Sequence, residues 1–363
     1  MSKAPCFCYL LVSCLALAAA SCGDGGGSGG DADADVDVDL VDQEDHAGDP
    51  DGDGPIDAPM DPDATDDSSD ADAADDPATD EVEPCAVVVT DFGANGGDEV
   101  DDTAFIQEAI DSIESGVVCV PDGTYMIDAE TSVRLHSNIT LRLSSGATLK
   151  AIPSSAENYA VVMAYEATNI AVTGGSIVGE RDGHAGDSGE WGMGIEVVGS
   201  TGVRIADISI SECWGDGIYI GSTDGQACCE DVVIENFTVN HNRRNGISII
   251  SARNLTLRNG SVSNTQGTPP QSGIDLEPND AAEFMLDVLI EDVTTADNGT
   301  DGYSFGGWGL DVWFGAGTDD PYTVPIGNVG IDVVNFSDTG SFRGAITTNV
   351  DDYIDHGYDI TIM

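Results

Sequence analysis

One frame recurs along the C-terminal part of the chain and limits what it can fold into. It runs apolar, any, apolar, any two, apolar or Gly, any, apolar. Copies are Ile170, Val172, Gly175, Ile177; then Val203, Ile205, Ile208, Ile210; then Val232, Ile234, Phe237, Val239; then Leu255, Leu257, Gly260, Val262. The series continues with Val288, Ile290, Val293, and with Val329, Ile331, Val334, Phe336. A second frame lies between these copies, a residue followed by Gly and a short alternating strand. It reads MGIEV at 193–197, DGIYI at 216–220, NGISI at 245–249, SGIDL at 272–276 and DGYSF at 301–305. Successive glycines stand 23, 29, 27 and 29 residues apart. A period of two is that of a strand, and self-similarity every 20 to 30 residues marks stacked coils. The expected fold is all-β, a single-stranded right-handed parallel β-helix over residues 85–363.

Stacking at about 4.8 Å turns like positions into columns. In the second frame Ile195/Val197, Ile218/Ile220, Ile247/Ile249, Ile274/Leu276 and Tyr303/Phe305 are expected to point inward. Glu196, Tyr219, Ser248, Asp275 and Ser304 then form an outward, solvent-facing column. Met193, Asp216, Asn245, Ser272 and Asp301 form a second column beside it. Upstream, VVVTDFGANGGDEVDDTAFIQEAIDSIESGVVCVPDGTYMID reads strand, turn, helix, strand. Phe105, Ile106, Ala109, Ile110 and Ile113 sit at helical spacing, so a short helix is expected to cap the open N-terminal end of the stack.

The first 21 residues read as a secretory leader, with Lys3, an apolar run and then small residues, too short to span a bilayer. The ending AAASC is similar to the lipobox of bacterial lipoproteins, with Ala19 where leucine is usual; the resemblance implies lipidation at Cys22 and residence in the cell envelope, lipid-anchored to the outer membrane, with plain secretion as the alternative. Residues 23–83 hold 24 acids and no Lys or Arg, so the segment 22–84 is expected to be a disordered, self-repelling tether. Residues 84–363 hold 43 acids against 10 Lys and Arg, a balance of −33. That balance argues against nucleic acid, whose phosphates need clustered cations. Export permits disulfides, and Cys85 with Cys119 and Cys213 with Cys228 or Cys229 are the candidate pairs. No spacing suggests zinc. The chain reaches YDITIM without an evident cap, which leaves room for an oligomer contact there.

The stretch DFGANG, then DDTAFIQEAID, then VPDGTY resembles the opening of the rhamnogalacturonase/epimerase-like pectate lyase domain, a branch of the pectate-lyase-like superfamily. With the coils included, the resemblance covers about 86–363. It implies a β-helix acting on a polysaccharide and leaves the reaction open among hydrolase, lyase and epimerase.

Chemistry-bearing residues gather on three or four adjacent coils. The loop 179–193 carries Glu180, Arg181, Asp182, His184, Asp187, Glu190 and Trp191. ECWGDG follows with Trp214 and Asp216, NHNRRNG with His241, Arg243 and Arg244, and GIDLEP with Asp275 and Glu277. For hydrolysis the expected catalytic residues are Asp216, Asp275 and Glu277, supported by His241 and Arg244. Inverting glycosidases hold two carboxyls about 6.5–9.5 Å apart. Asp275 and Glu277 would be about 6.5–7 Å apart along a strand, and Asp216 and Asp275 about 9–10 Å apart across two coils. Crowded like charges raise one pKa and so create the acid. Trp191, Trp214, Tyr219, Arg243 and Glu196 are the expected sugar contacts, the indoles as stacking platforms. Lyase or epimerase chemistry would instead pair a uronate carboxylate with Arg181, Arg243 and Arg244, or bridge it through calcium on Asp275 and Glu277, with Tyr219 or His241 moving protons. GIDLEP has some likeness to the YGFDPH signature of mannuronan epimerases; its Asp matches Asp275, while Glu277 replaces the His. Hydrolysis needs no cofactor. The third reading is a surface glycan-binding or adhesin rod without turnover.

Overall fold

The computed structural model describes residues 83–223, 227–279, 282–302, 305–313, 329–348 and 359–363. The leader, Cys22 and nearly all of the acidic tether lie outside them. The described residues form a single-stranded right-handed parallel β-helix. Every strand pairing is parallel, and each strand pairs with its counterpart one coil away.

The first frame has a physical origin in the long strands Thr201–Ser211, Cys229–Asn240, Ala252–Ser263 and Met285–Ala296. Each carries two residues with positive φ, one near its start (Gly202, Asp231, Asn254, Asp287) and one at a bend in the middle (Asp207, Asn236, Asn259, Asp292). Asn and Asp tolerate that left-handed conformation best among residues with a side chain. The bend falls in the two-residue gap of the frame. It turns the chain from one face of the coil to the next, so apolar residues on both sides of it still point inward. Val203, Ile205, Ile208 and Ile210 are all buried, and their counterparts Val232, Ile234, Phe237 and Val239 stack on them in register. Gly260 lies opposite Phe237, and a Cβ there would stand 2.1 Å from the ring. The small residue makes room for the large one on the rung below.

The remaining face is an eight-stranded sheet built from Val133–Leu135, Asn158–Tyr165, Trp191–Val198, Ile218–Gly221, Ile247–Ile249, Ile274–Leu276, Trp308–Val312 and Gly344–Thr348. The motif glycines line up before these strands because only they fit. A Cβ on Gly194 would lie 2.6 Å from the Gly217 carbonyl oxygen, one on Gly217 would lie 2.7 Å from that of Gly246, and one on Gly246 would lie 2.4 Å from that of Gly273.

The series then departs from the expected register. Gly273 packs against Gly309, and Ile274, Asp275 and Leu276 pair with Leu310, Asp311 and Val312. The fifth rung is therefore GLDV, not DGYSF. Asp301 and Phe305 are exposed, and Tyr303 and Ser304 lie outside the described residues. An insertion lengthens this coil and moves the true repeat past the spacing of the earlier ones. The last copy of the first frame is shifted as well: Ile331 and Val333 are the buried residues opposite Val288 and Ile290.

Residues Thr103–Asp111 form the N-terminal helix, with Ile106, Ala109 and Ile110 buried against Val89 and Val133. Phe105 is 38% exposed, although it lies on the same helix. It covers Gly93 rather than entering the core. Cys85 and Cys119 are disulfide-bonded, tying the first strand to the second. Cys213, Cys228 and Cys229 are free thiols, so the second expected disulfide is not formed. Among the described residues no helix is long and apolar enough to cross a membrane.

Candidate active site

The outward column of the eight-stranded sheet reads Arg134, Met163, Glu196, Tyr219, Ser248, Asp275, Asp311, Thr347 in register. Sequence reasoning makes this a solvent-facing wall, but its centre is buried. Ser248 is 1% and Asp275 2% exposed, and the adjoining column holds Asp216, Asn245 and Ser272 at 0%. The cause is their bonding to one another across rungs, with Arg244 lying over them.

Asp216 anchors this network. Its Oδ2 accepts from Arg244 Nη1 at 3.0 Å and from Ser248 Oγ at 2.7 Å, while Oδ1 accepts from the Asn245 backbone N–H at 2.9 Å. The Asn245 side chain donates to Ser248 Oγ at 3.1 Å and to Asp275 Oδ2 at 2.8 Å. Its own oxygen accepts the Ser272 backbone N–H at 3.0 Å, and Ser272 Oγ donates to Asp311 Oδ2 at 3.3 Å. One connected set of hydrogen bonds thus links three aspartates on four coils.

Arg244 lies among the carboxylates. Beyond Asp216 it stands 3.9 Å from Glu277 and 3.7 Å from Glu190. Burial works against its charge, but Asp216, Asp275, Glu277 and Glu190 together hold it protonated more firmly than usual. The carboxyls respond unequally. Burial pushes Asp216 up against the opposing pull of Arg244 and the two hydrogen bonds. With both of its oxygens accepting and a guanidinium attached, it is the carboxylate that pins Arg244. Asp275 is raised well above the ordinary range, first by burial and then by Glu277 and Asp311. Glu277 is raised by burial, and Arg244 opposes the shift. Asp311 is pushed up to about 6 by burial, against Ser272 and Arg343. Two rungs below Ser248, Glu196 is pushed up to about 7 by burial, and its Oε2 is buried without a hydrogen-bond partner. The Tyr219 hydroxyl between them is raised by burial and by Glu196 and Asp216.

Beside Asp275 a cleft of about 460 Å³ opens. Asp275, Glu277 and Asp311 form one side, and Phe305, Trp308 and Trp313 supply aromatic surface. Trp308 lies over Gly344, where a Cβ would stand 3.3 Å from the ring. At the rim Gly306 has φ +76°, and a Cβ there would lie 1.8 Å from the Pro270 carbonyl oxygen, an approach only glycine permits.

The structure thus brings together Asp216, Asp275, Glu277 and Arg244, with Tyr219 and Glu196 farther along the same wall. It does not bring in the other expected residues. His241 is bonded through Nδ1 to Glu212 at 2.8 Å, at a positive-φ turn after a strand of the other sheet. That pairing sets it at the turn beside Glu212, and none of its hydrogen bonds joins the Asp216–Arg244 network. Trp214 is only 8% exposed; His184 stacks on it at 3.9 Å and the Arg243 guanidinium lies 3.7 Å from its ring. It is an internal support and not a sugar platform. Arg243 also donates to the backbone oxygens of Gly189 at 2.8 Å and Trp214 at 3.3 Å, so it fastens the 179–193 loop. Trp191 stays 40% exposed at the start of its strand and keeps an open aromatic face. Among the described residues no three His, Cys, Asp or Glu side chains converge to hold a metal ion. Asp311, Trp308 and Trp313 were missed from sequence. The signal was the GLDV at 309–312, which repeats GIDL with Asp in the same place.

Residues 86–281 match the profile of the family described as rhamnogalacturonase A/epimerase, pectate lyase-like. The chain belongs to that family. It is a family of polysaccharide-active β-helix proteins. Among curated proteins, the uncharacterized protein YclG of Bacillus subtilis (strain 168) is 30% identical over 215 residues, covering 52% of this chain and 37% of that one. The prophage-derived uncharacterized protein YorA of the same strain is 27% identical over 188 residues, covering 44% and 32%. The matched part therefore spans only about a third of these relatives. Among solved structures, tailspike gp49 of Acinetobacter baumannii bacteriophage Fri1, a capsular polysaccharide depolymerase, superposes with a TM-score of 0.55 at 19% identity, over 72% of this chain and 48% of that one. An iota-carrageenase complexed to iota-carrageenan fragments gives 0.55 at 15%, over 71% and 55%. At these identities the likeness is one of fold.

Proposed function

We propose that the protein is a glycoside hydrolase of an extracellular polysaccharide, with Asp275 as the proton donor and Glu277 as the base. The observation that carries this reading is the pair itself: two buried carboxyls two residues apart, both raised, at the edge of an aromatic-lined cleft. A glycosidase needs one carboxyl neutral and one ionised at the same pH. Asp275 is the more buried and is flanked by Glu277 and Asp311, so it keeps its proton. Glu277 faces Arg244 and more solvent, so it ionises first. Asp216 acts through Arg244, as the fixed counter-charge that sets this order. Family membership and the carrageenase and depolymerase of like fold support polysaccharide as substrate. The protein is further proposed to be exported and lipid-anchored through Cys22, with the acidic segment as a tether holding the β-helix away from the membrane.

The test is a digest of neutral, amino and uronate polysaccharides by the full chain, following reducing ends and the absorbance of unsaturated products together. Reducing ends without that absorbance, lost in Asp275→Asn, are expected. Unsaturated ends would overturn hydrolysis in favour of a lyase. Binding without either product would favour the adhesin reading.

A further inference from the structure

The loop 179–193 holds a cluster of polar side chains that hydrolysis by Asp275 and Glu277 does not use. Glu180 and His184 are buried, each with 1% of its side chain exposed. Glu180 Oε1 accepts hydrogen bonds from the Tyr159 hydroxyl and from His184 Nδ1, the latter at 2.7 Å. Its Oε2 is buried with no hydrogen-bond partner. Leaving one oxygen of a buried carboxyl unbonded is costly. An apolar pair in place of Glu180 and His184 would cover Trp214 without that cost. What the carboxyl adds is orientation. It fixes the imidazole, which lies 13° from the plane of Trp214 with centroids 3.9 Å apart.

The stack leads to the wall. Arg243 packs on the Trp214 ring at 3.7 Å, and the next residue is Arg244. The Arg243 N–H donates to the Cys213 carbonyl at 3.0 Å, and the Arg244 N–H donates to that of Gly215 at 3.1 Å. The backbone on either side of Trp214 therefore carries both arginines. The Gly215 N–H donates to Gly192 at 2.8 Å, and a Cβ on Gly215 would stand 2.4 Å from the Glu190 carbonyl oxygen. At such contacts a displaced Trp214 takes its neighbours with it, and a shift of about 1 Å is enough to matter at a catalytic group. Arg244 is what that shift would move. The carboxyls of Asp275, Asp311, Asp216 and Glu283 act on Glu277 as like charges, and the Arg244 guanidinium opposes them.

We propose that His184 is a positioning residue, which packs Trp214 against Arg243 and through them holds Arg244 beside Asp216 and Glu277. Its own contacts are with Glu180, Tyr159 and Trp214. The proposal rests on the hydrolase reading for what Glu277 does, but its readout is the titration of Glu277 and needs no sugar.

The experiment follows the carboxyl ¹³C resonance of Glu277 against pH in the full chain and in His184→Leu and His184→Phe, each checked for folding by circular dichroism. In His184→Leu the midpoint is expected to rise by about half a pH unit or more, a change of about threefold in proton affinity. His184→Phe keeps a ring over Trp214 and is expected to restore at least half of that shift. Should His184→Leu fail to fold, His184→Gln, which keeps a polar group and lacks the ring, takes its place with the same expectation. On any polysaccharide the chain cleaves, the ringless variant is expected to lose about tenfold in kcat with KM within about twofold. A purely structural role would lower the melting temperature and leave the titration where it is. An unmoved Glu277 midpoint in the folded ringless variant would overturn the proposal, and so would an equal shift in His184→Phe. The two readings fail separately. A moved midpoint without cleavage keeps the role of His184 and counts against hydrolysis, whereas cleavage with an unmoved midpoint does the reverse.

Discussion

Two faces of the same coils carry stacked charges, and the two stacks behave in opposite ways. On the large sheet Glu235 accepts two hydrogen bonds from Arg204, at 3.0 and 2.8 Å, and two from Arg258, at 2.9 and 2.6 Å. Both arginines are nearly half exposed, and the carboxyl of Glu235 is held below its usual range, first by the bonds from Arg258. Here acids and bases alternate, each charge is matched, and water reaches the pairs. On the eight-stranded wall Asp216, Asp275 and Glu277 gather around Arg244, with Asp311 one rung beyond Asp275, all with little access to water, and every one of these carboxyls is raised. The first arrangement stabilises a coil stack modestly. The second holds protons where an ordinary surface carboxyl would have lost them, which is what acid catalysis at neutral pH requires.

The contrast is broken most severely at the pair in the cleft. Asp275→Asn or Glu277→Gln is expected to lower turnover on the cleaved polysaccharide by about 10²–10⁴-fold, the usual range for a lost acid or base, with the fold retained by circular dichroism. Next comes Arg244→Met, which strands Asp216 as a buried, unpaired carboxylate. Denaturant unfolding is expected to show a loss of about 3–5 kcal/mol. Replacing Arg244 and Asp216 together, by Met and Asn, should recover part of that loss.

A pH effect follows in size. The carboxyls of Glu196 and Asp311 stand at about 7 and about 6 in the folded protein, above their unfolded values. A raised folded pKa adds stability that is complete below the unfolded pKa and disappears as pH rises through the folded one. Thermal unfolding is therefore expected to show a protein more stable at pH 5 than at pH 8. Glu196→Gln should flatten that slope by on the order of 1–3 kcal/mol. The smallest effect belongs to the outer stack. Glu235→Gln is expected to cost about 1 kcal/mol or less, and added salt should shrink the difference further, because the pairs are open to water.

The fold was legible because its causes are local and repeated. Isoleucine and valine at a period of two, glycines that must let neighbouring turns touch, and Asn or Asp at the left-handed bends all recur in the sequence. The reading failed where the repeat length changed. The insertion after Gly273 puts the next rung 36 residues on, at Gly309, so DGYSF at 301–305 imitates a fifth copy at the regular spacing and hides Asp311. The outward placing of Asp216, Asp275 and Glu277 was legible because alternation puts them on the outer face. Their burial was not legible, because it arises from bonds between coils 27 to 32 residues apart, such as Ser248 to Asp216 and Ser272 to Asn245. His241 and Trp214 were misplaced for the same reason. A sequence shows that a histidine or an indole is near a turn, but not that Glu212 or His184 already occupies it.

The central claim is that the cleft carboxyls hold a proton near neutral pH, and it can be tested before any sugar is identified. Carboxyl ¹³C resonances of Asp275, Glu277 and Asp311, assigned by single substitution, would be followed from pH 3 to pH 9. The account predicts that at pH 6 at least one of the three is still largely protonated, and that Arg244→Met moves Glu277 upward. If all three have ionised by pH 5, as ordinary surface carboxyls do, the wall stores no proton and the assignment of Asp275 as the acid is wrong.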